Sequence, residues 1–325
     1  MKRLLKSIIG VQGINYLLRT CLRTGNRLIT RSIHFVQKYV PVSGEILLKI
    51  LKYEIKLYGH SDDHLVTKSY YKGLSELNEL RLFVKIIAKT KVFYDVGANV
   101  GLYSILAEKS NKKAQIYAFE PDPFINNRFL VNSEINGCTN ISVFKVAIGD
   151  KRDSVKFYIP KENINTTTSS ILKSQLSGFY PGMDIDEIDV AVNSIDGLIE
   201  HEKFPIPDLI KLDVECNELN AFIGMNKLIE NHKPIILAEL FNDKVKLKQN
   251  PKLESELVFG YTDKIQQRLD DHGYSFYLLG HSGILFVPSL EVSCDTFNYL
   301  LVPKKLNSEF YLWNEVDNLV DEIYS

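Results

Sequence analysis

Asp95, Gly97, Asn99 and Gly101 fall in one short run, and a second acid, Glu120, follows 25 residues after the first. The glycines lie between an apolar run, Val92-Phe-Tyr-Asp-Val96, and a segment, Leu102 to Glu108, that reads as the start of a helix. A buried strand, a tight turn and a helix in that order bring backbone close to a ligand at the turn. Gln115-Ile-Tyr-Ala-Phe119 reads as the next strand, with Glu120 at its carboxyl end. In a doubly wound sheet an acid there can grip the two hydroxyls of a ribose. The chemistry these residues suit is the holding of a nucleoside-bearing cofactor. The plainer alternative is a strand, turn and helix whose glycines serve the turn alone; the spacing of Glu120 argues against it.

A dinucleotide fingerprint wants three glycines as G-x-G-x-x-G, so that the helix receives a pyrophosphate. Here Asn99 stands where the second glycine belongs. A side chain at that point crowds a pyrophosphate and tolerates an amino acid attached to adenosine, which selects S-adenosylmethionine over a nicotinamide cofactor. Asp95 can orient the loop amides or face the ligand's ammonium group.

Methyl transfer from a sulfonium is an in-line displacement, so most of its rate comes from alignment. A hydroxyl acceptor also needs its proton removed near neutral pH. Asp213, Glu215 and Glu239 lie at or just beyond the ends of two apolar runs that read as neighbouring strands, where they would share a proton-acceptor role or hold a divalent ion. The blander readings are that Glu215 caps the helix beginning near Glu218 and that Glu239 is solvated. His60 and His64 have the i, i+4 spacing of zinc ligands but no third ligand nearby in sequence, so a solvated loop is the better reading and no metal site is expected. Tyr70 and Tyr71, Ser169 and Ser170, Tyr180 and His281 suit a hydroxyl-rich acceptor, and suit packing or a surface loop equally well.

Asp95-Val-Gly-Ala-Asn-Val-Gly-Leu-Tyr-Ser104, Glu120-Pro121 and Ile210-Lys-Leu-Asp-Val-Glu215 resemble the motifs of FkbM-type methyltransferases. The similarity runs over roughly residues 70–300 and includes Ala147-Ile-Gly-Asp150, which places Ala147 at the cofactor, and Val192 to Leu198. The resemblance implies use of S-adenosylmethionine and methylation of hydroxyl groups, often on sugars or polyketide-like products. One residue departs from the pattern: Cys216 stands where the family has glycine. A glycine there implies positive φ or close approach of a ligand. The expectation is that this chain has shifted its backbone to a conformation cysteine tolerates.

Strands near 92–96, 115–119, 142–146, 208–213 and 234–239 alternate with helical patterns, which calls for an α/β, doubly wound, Rossmann-like sheet, mostly parallel. Tyr274 to Leu279 and Ile284 to Val287 read as a late antiparallel hairpin. Asn163 to Asp189 shows no clear elements and is expected to be an active-site cover or a mobile loop. The domain reading is a basic helical extension over 1–74, a methyltransferase domain over 75–303 and a helical tail over 304–325. Ser43 with Ile46, Leu47, Ile50 and Leu51 is read as an N-capped amphipathic helix.

The net charge of −1 conceals an asymmetry, since residues 1–44 carry eight Lys or Arg and no acid. This arm is read first as packing on the acidic body or a second subunit, next as contacting an anionic membrane surface from the cytoplasmic side, and last as a nucleic-acid arm, for which no motif is present. Four scattered cysteines fit reduced thiols in the cytoplasm. No run is long enough to span a bilayer. The expected partner is a small-molecule or glycan acceptor. The competing class is a degenerate methyltransferase fold that binds the nucleoside and scaffolds other proteins, favoured by Cys216 alone.

Overall fold

The structure is a computed structural model, and it describes residues 42–59, 66, 69–70, 77–160, 169–179, 182, 184–280, 283–290 and 296–306. The basic arm, His60, His64, Tyr71, Tyr180, His281 and most of the expected tail lie outside these residues.

In chain order the elements are β1 (Gly44–Ile50), β2 (Tyr53–Gly59), α1 (Leu77–Ile87), β3 (Val92–Val96), α2 (Leu102–Ser110), β4 (Gln115–Phe119), α3 (Pro123–Ile135), β5 (Ile141–Phe144), β6 (Ala147–Ile148) and β7 (Asp153–Pro160). There follow α4 (Lys173–Phe179), β8 (Ile185–Asn193), α5 (Ile195–Glu202), β9 (Leu209–Leu212), α6 (Glu218–Gly224), α7 (Asn226–Asn231), β10 (Ile235–Phe241), α8 (Asp243–Gln249), α9 (Tyr261–Asp271), β11 (Tyr274–Gly280), β12 (Gly283–Val287) and β13 (Thr296–Pro303).

The main sheet has eight strands in the order β12-β11-β13-β10-β9-β3-β4-β5. From β10 to β5 neighbours run parallel, and the β13, β11 and β12 pairings are antiparallel. The doubly wound α/β class is therefore the observed one. Both faces of the sheet are covered by apolar side chains, so its central strands are buried throughout, as parallel strands must be. On one face Phe93, Ile116 and Leu209 pack against α1 and α2, with Phe83 centred 5.1 Å from both the Phe93 and Tyr103 rings. On the other, Tyr94, Phe119 and Ile210 meet Leu219, Phe222 and Ile265 from α6 and α9. Missing from the sequence reading are β13, which lies between β10 and β11, β6 and β8, which form a separate three-stranded sheet with β7, and α4. Helix α4 and the start of β8 fall within Asn163 to Asp189, where no clear elements were expected.

The expected helix after Ser43 is instead an antiparallel hairpin, β1 with β2, in full register from Gly44–Gly59 to Ile50–Tyr53. Ile46, Leu48 and Ile50 alternate inward with Ile55 and Leu57 across the pair and join the core beneath α1 and α2. Period two wins because one face is buried, and Leu47 is left exposed. This stretch of the extension shares the core of the body and is not a separate helical module.

Candidate active site

At the carboxyl ends of β3, β4 and β9 the chain opens into a cleft. Gly97, Asn99, Glu120, Ala147, Asp213 and Glu215 line it, with an apolar wall of Phe119, Ile125, Val146, Ile148, Phe157 and Ile171. Ser169, read from the sequence as suited to a hydroxyl-rich acceptor or to a surface loop, faces it, as do Asp122 and Asn217, which were not singled out from the sequence.

The turn after β3 is fixed by its main chain. The Gly97 and Ala98 amides both donate to the Phe119 carbonyl at 3.0 Å, and the Asp213 amide donates to the Val96 carbonyl at 3.0 Å. Gly97 has φ +78 and Asn99 φ +52. Asparagine is among the few side chains that settle in the left-handed region, and the Asn99 Oδ1 accepts from the Val100 amide at 2.8 Å. Gly101, at φ +89, begins α2 under the ring of Phe129, where a Cβ would collide; its role is packing rather than lining the cleft.

Glu120 is the best-held acid of the cleft. Its Oε2 accepts from the Asn99 amide at 2.9 Å and its Oε1 from the Asp122 amide at 2.9 Å. Each carboxylate oxygen keeps a second lone pair, enough for the two vicinal hydroxyls of a ribose. Burial pushes the carboxyl up to about 8, against the two amide donors, with the neighbouring Asp122 charge adding to the rise.

Asp95 lies behind the loop. It is fully buried, accepts from the Ser104 hydroxyl at 2.6 Å through Oδ2, and leaves Oδ1 without a partner. Burial raises its pKa, against the nearby Lys211 cation. Lys211 in turn donates to Asp213 Oδ2 at 2.9 Å and sits 4.8 Å from the centre of the Tyr103 ring.

Beyond β9 the chain takes two consecutive left-handed residues, Glu215 at φ +50 and Cys216 at φ +75. The expectation of a relaxed backbone at Cys216 is therefore corrected: the cysteine occupies the glycine conformation. It is held there by burial in the core and by the bond from its amide to Glu218 Oε1 at 3.2 Å. Burial, followed by the Asp213 and Glu218 charges, pushes the Glu215 carboxyl up to about 7. Glu218, buried and hydrogen-bonded by the Tyr261 hydroxyl, is likewise pushed up to about 7, first by burial.

Glu239 does not line the cleft, although its charge, with those of Glu218 and Glu215, acts on Cys216. Glu239 sits within β10 opposite Asn298 of β13, on the same face of the strand as Leu237. Tyr70 packs against the core. Among the described residues no group of three or more His, Cys, Asp or Glu could hold a metal ion, and no helix is long and apolar enough to cross a membrane.

Ser169 and Ile171 bring the chain onto the cleft. The Ser169 hydroxyl donates to Asp122 Oδ2 at 2.8 Å, and the Ser170 hydroxyl donates to the Glu215 carbonyl at 3.0 Å. Ser170 also exchanges main-chain bonds with Tyr158, at 2.9 and 3.1 Å, which extends β7 to the cleft. Helix α4 follows and is anchored through Ser174 to Glu256.

A parallel sheet with a glycine turn after one strand, an acid after the next and an acidic cleft between them is an α/β arrangement suited to a nucleoside-bearing ligand. The family model described as Methyltransferase FkbM domain matches residues 95–276, more than half of the chain, which belongs to that family. Its cofactor is S-adenosylmethionine. The hexuronic acid methyltransferase AglP of Haloferax volcanii is 24% identical over 188 residues, covering 56% of this chain and 72% of that protein. A methyltransferase FkbM structure from Methylobacillus flagellatus aligns with a TM-score of 0.39 at 19% identity, over 73% of this chain and 53% of that one. A SAM-dependent methyltransferase from Agrobacterium tumefaciens aligns with 0.42 at 8% identity, over 81% and 71%.

The residues present fit the cofactor. Glu120 offers paired acceptors for a ribose, the apolar wall suits an adenine plane, and Gly97 lines the cleft with main chain alone.

Proposed function

We propose that this chain methylates an oxygen of a sugar, a hexuronic acid or a glycan that contains one, with Glu215 as the proton acceptor. The observation that carries the reading is a cleft-lining carboxyl pushed up to about 7, poised to exist in both protonation states near neutral pH. The likeness to a hexuronic acid methyltransferase supports the substrate class.

S-adenosylmethionine supplies an electrophilic methyl on a sulfonium. Glu120 and the Gly97 turn would hold its nucleoside end, and Glu215 would take the proton of the acceptor hydroxyl as that oxygen is methylated. Asp213, held by Lys211, adds negative charge that favours the proton on Glu215. The cover segment from Ser169 to α4 excludes water from the reacting atoms.

The test is incubation with isotopically labelled S-adenosylmethionine and a panel of uronic acid glycosides. Glu215→Gln should lower turnover about 100-fold or more and leave S-adenosylhomocysteine affinity within threefold. The product also discriminates by its stability. A methyl ether survives mild alkali, whereas a methyl ester does not. An ester product formed equally well by Glu215→Gln would remove Glu215 as base, because a carboxylate acceptor has no proton to lose.

A further inference from the structure

The peptide that joins Glu215 to Cys216 lies between the two left-handed residues that follow β9, at φ +50 and +75. Both of its polar groups are held by buried side chains. The Glu215 carbonyl accepts from the Ser170 hydroxyl at 3.0 Å, and the Cys216 amide donates to Glu218 Oε1 at 3.2 Å. Each holder is itself fixed. The Ser170 hydroxyl oxygen accepts from the Leu172 amide at 3.0 Å. The other oxygen of Glu218, Oε2, accepts from the Tyr261 hydroxyl, which in turn accepts from the Leu219 amide at 3.2 Å. The Tyr261 ring stacks on Phe241 with centres 4.6 Å apart, and its amide donates to Asp243 Oδ2 at 2.9 Å, which roots the tyrosine at the start of α9.

Resting on the reading of Glu215 as proton acceptor, we propose that Ser170 and Glu218 are positioning residues for methyl transfer. They clamp the Glu215–Cys216 peptide at its two polar ends, and Tyr261 backs Glu218. Ser170, Glu218 and Tyr261 all lie outside the cleft lining, so none of them is placed to touch the cofactor or the acceptor. What they set is the main chain from which the Glu215 side chain enters the cleft. The direction of a Cα–Cβ bond follows from the peptides on either side of it. L-residues resist the left-handed region, so two of them in succession need bonds to hold the turn. Turning the peptide over would set the Glu215 carbonyl against the Glu218 carboxyl, acceptor facing acceptor, and take from the buried Ser170 hydroxyl its own acceptor. A carboxylate is also the strongest acceptor a side chain can offer to a buried amide. The clamp therefore keeps one of two peptide orientations, the one that delivers Glu215 to the site.

The first readout needs no methyl acceptor. In the full chain grown with ¹⁵N-cysteine the four cysteine amides are followed, and Cys216 is assigned by its loss in Cys216→Ser. Glu218→Leu removes the acceptor of the Cys216 amide. Glu218→Gln keeps a carboxamide oxygen for it and turns the NH₂ to the Tyr261 hydroxyl. Exchange of the Cys216 amide hydrogen should quicken about tenfold or more in Glu218→Leu and stay within about threefold of wild type in Glu218→Gln. The second readout is turnover with labelled S-adenosylmethionine and a uronic acid glycoside. There kcat should fall about 30-fold in Glu218→Leu and about tenfold in Ser170→Ala, while KM and S-adenosylhomocysteine affinity stay within about threefold. Glu218→Gln should recover most of the loss. A kcat at the wild-type value in folded Ser170→Ala and Glu218→Leu overturns the proposal. So does a Glu218→Gln chain as slow as Glu218→Leu, because the bond to Cys216 would then not be what matters. Equal loss of cofactor affinity and turnover overturns it too, by marking the pair as merely structural. Cys216 exchange as fast in wild type as in Glu218→Leu counts against the clamp alone, whereas turnover retained in Glu215→Gln counts against the proton acceptor alone. Should Glu218→Leu not fold, Ser170→Ala, which removes a single oxygen, decides by the same split between kcat and affinity.

Discussion

A Cβ on Gly97 would overlap the main-chain carbonyl oxygen of Asp213, so the cofactor turn of β3 and the acidic end of β9 are in backbone contact with nothing between them. The φ of +78 adds a second reason for glycine. Gly97→Ala should therefore displace the end of β9 or the turn, and S-adenosylhomocysteine affinity should drop by more than about 30-fold, equivalent to roughly 2 kcal/mol. Calorimetry on the folded variant checks this; affinity within threefold of wild type would show that the two segments separate freely.

Glu120 makes two kinds of bond, to the amides of its own loop and, by the reading above, to a ribose. Glu120→Ala should weaken S-adenosylhomocysteine by roughly 2–3 kcal/mol. The pH dependence is the sharper check. Ribose hydroxyls donate to the ionised acid, whose pKa is pushed up to about 8 in the free protein. Affinity should therefore rise with pH up to about 8 and then level, and binding near pH 7 should release a proton, measurable by calorimetry in two buffers of different ionisation enthalpy. Binding with no proton release would put the ribose elsewhere.

The same acids set the stability of the free protein. Glu120, Glu215 and Glu218 have folded values near 7 or 8, all above the ordinary 4.5. Between about 4.5 and 8 the folded state holds protons that the unfolded chain has released, so the unfolded state binds fewer. As far as these three groups govern it, stability is greatest at the acid side of this window, falls as pH rises through it and flattens above about 8. Urea midpoints at pH 5.5, 7 and 8.5 should descend in that order, and replacing Glu218 with Gln should flatten the descent.

Asn132 ties the cofactor loop to the amino-terminal hairpin. Its Nδ2 donates to the Val100 carbonyl at 2.9 Å and its Oδ1 accepts from the Tyr58 amide at 2.7 Å, with the side chain fully buried. Asn132→Ala leaves two polar groups without partners and should destabilise the protein by about 2–4 kcal/mol. A denaturant midpoint unchanged from wild type would show that water replaces both bonds.

Cys216 gives an unusual ranking of small residues. Its φ of +75 is a conformation that costs an L-residue about 1–2 kcal/mol. Glycine relieves that cost but adds unfolded-state freedom of about 0.4–1 kcal/mol. Cys216→Gly should therefore equal or exceed Cys216→Ala in stability, the reverse of the order in a helix, with both losing the buried thiol. Thermal melts of the pair settle the order, and an alanine variant clearly more stable than glycine would mean that the turn has relaxed.

How much of this was legible depended on whether a segment's pattern fitted one template or two. Strands β3, β4, β9 and β10 were readable because continuous apolar runs end in an acid or glycine, a pattern that a buried parallel strand shares with few other elements. The hairpin was misread because Ile46, Leu47, Ile50 and Leu51 satisfy helical spacing while Ile46, Leu48 and Ile50 satisfy a strand equally well; only the core beneath them decides. Acids at 184, 186, 187 and 189 obscured the alternation of Ile188, Val190 and Val192 in β8. The acids Asp213, Glu215 and Glu120 could be placed at strand ends from sequence, but Glu239 was placed there on the same logic and lies outside the cleft. Ser170 could be picked out from the sequence only as one polar loop residue among several, because its bond to the Glu215 carbonyl comes from a fold-back of some forty-five residues.

The insertion of β13 between β10 and β11 has a consequence for how the chain is made. A ribosome delivers β10, β11 and β12 before residues 296–303 exist. Until those eight residues emerge, β10 and β11 each keep one side of their main chain unpaired, and the sheet stays in two pieces. From the completion of β11 until residues 296–303 emerge, the growing protein thus carries two sticky strand borders, and β13 closes both at once. Loss of residues 296–303 would split the sheet between β10 and β11 rather than trim its margin.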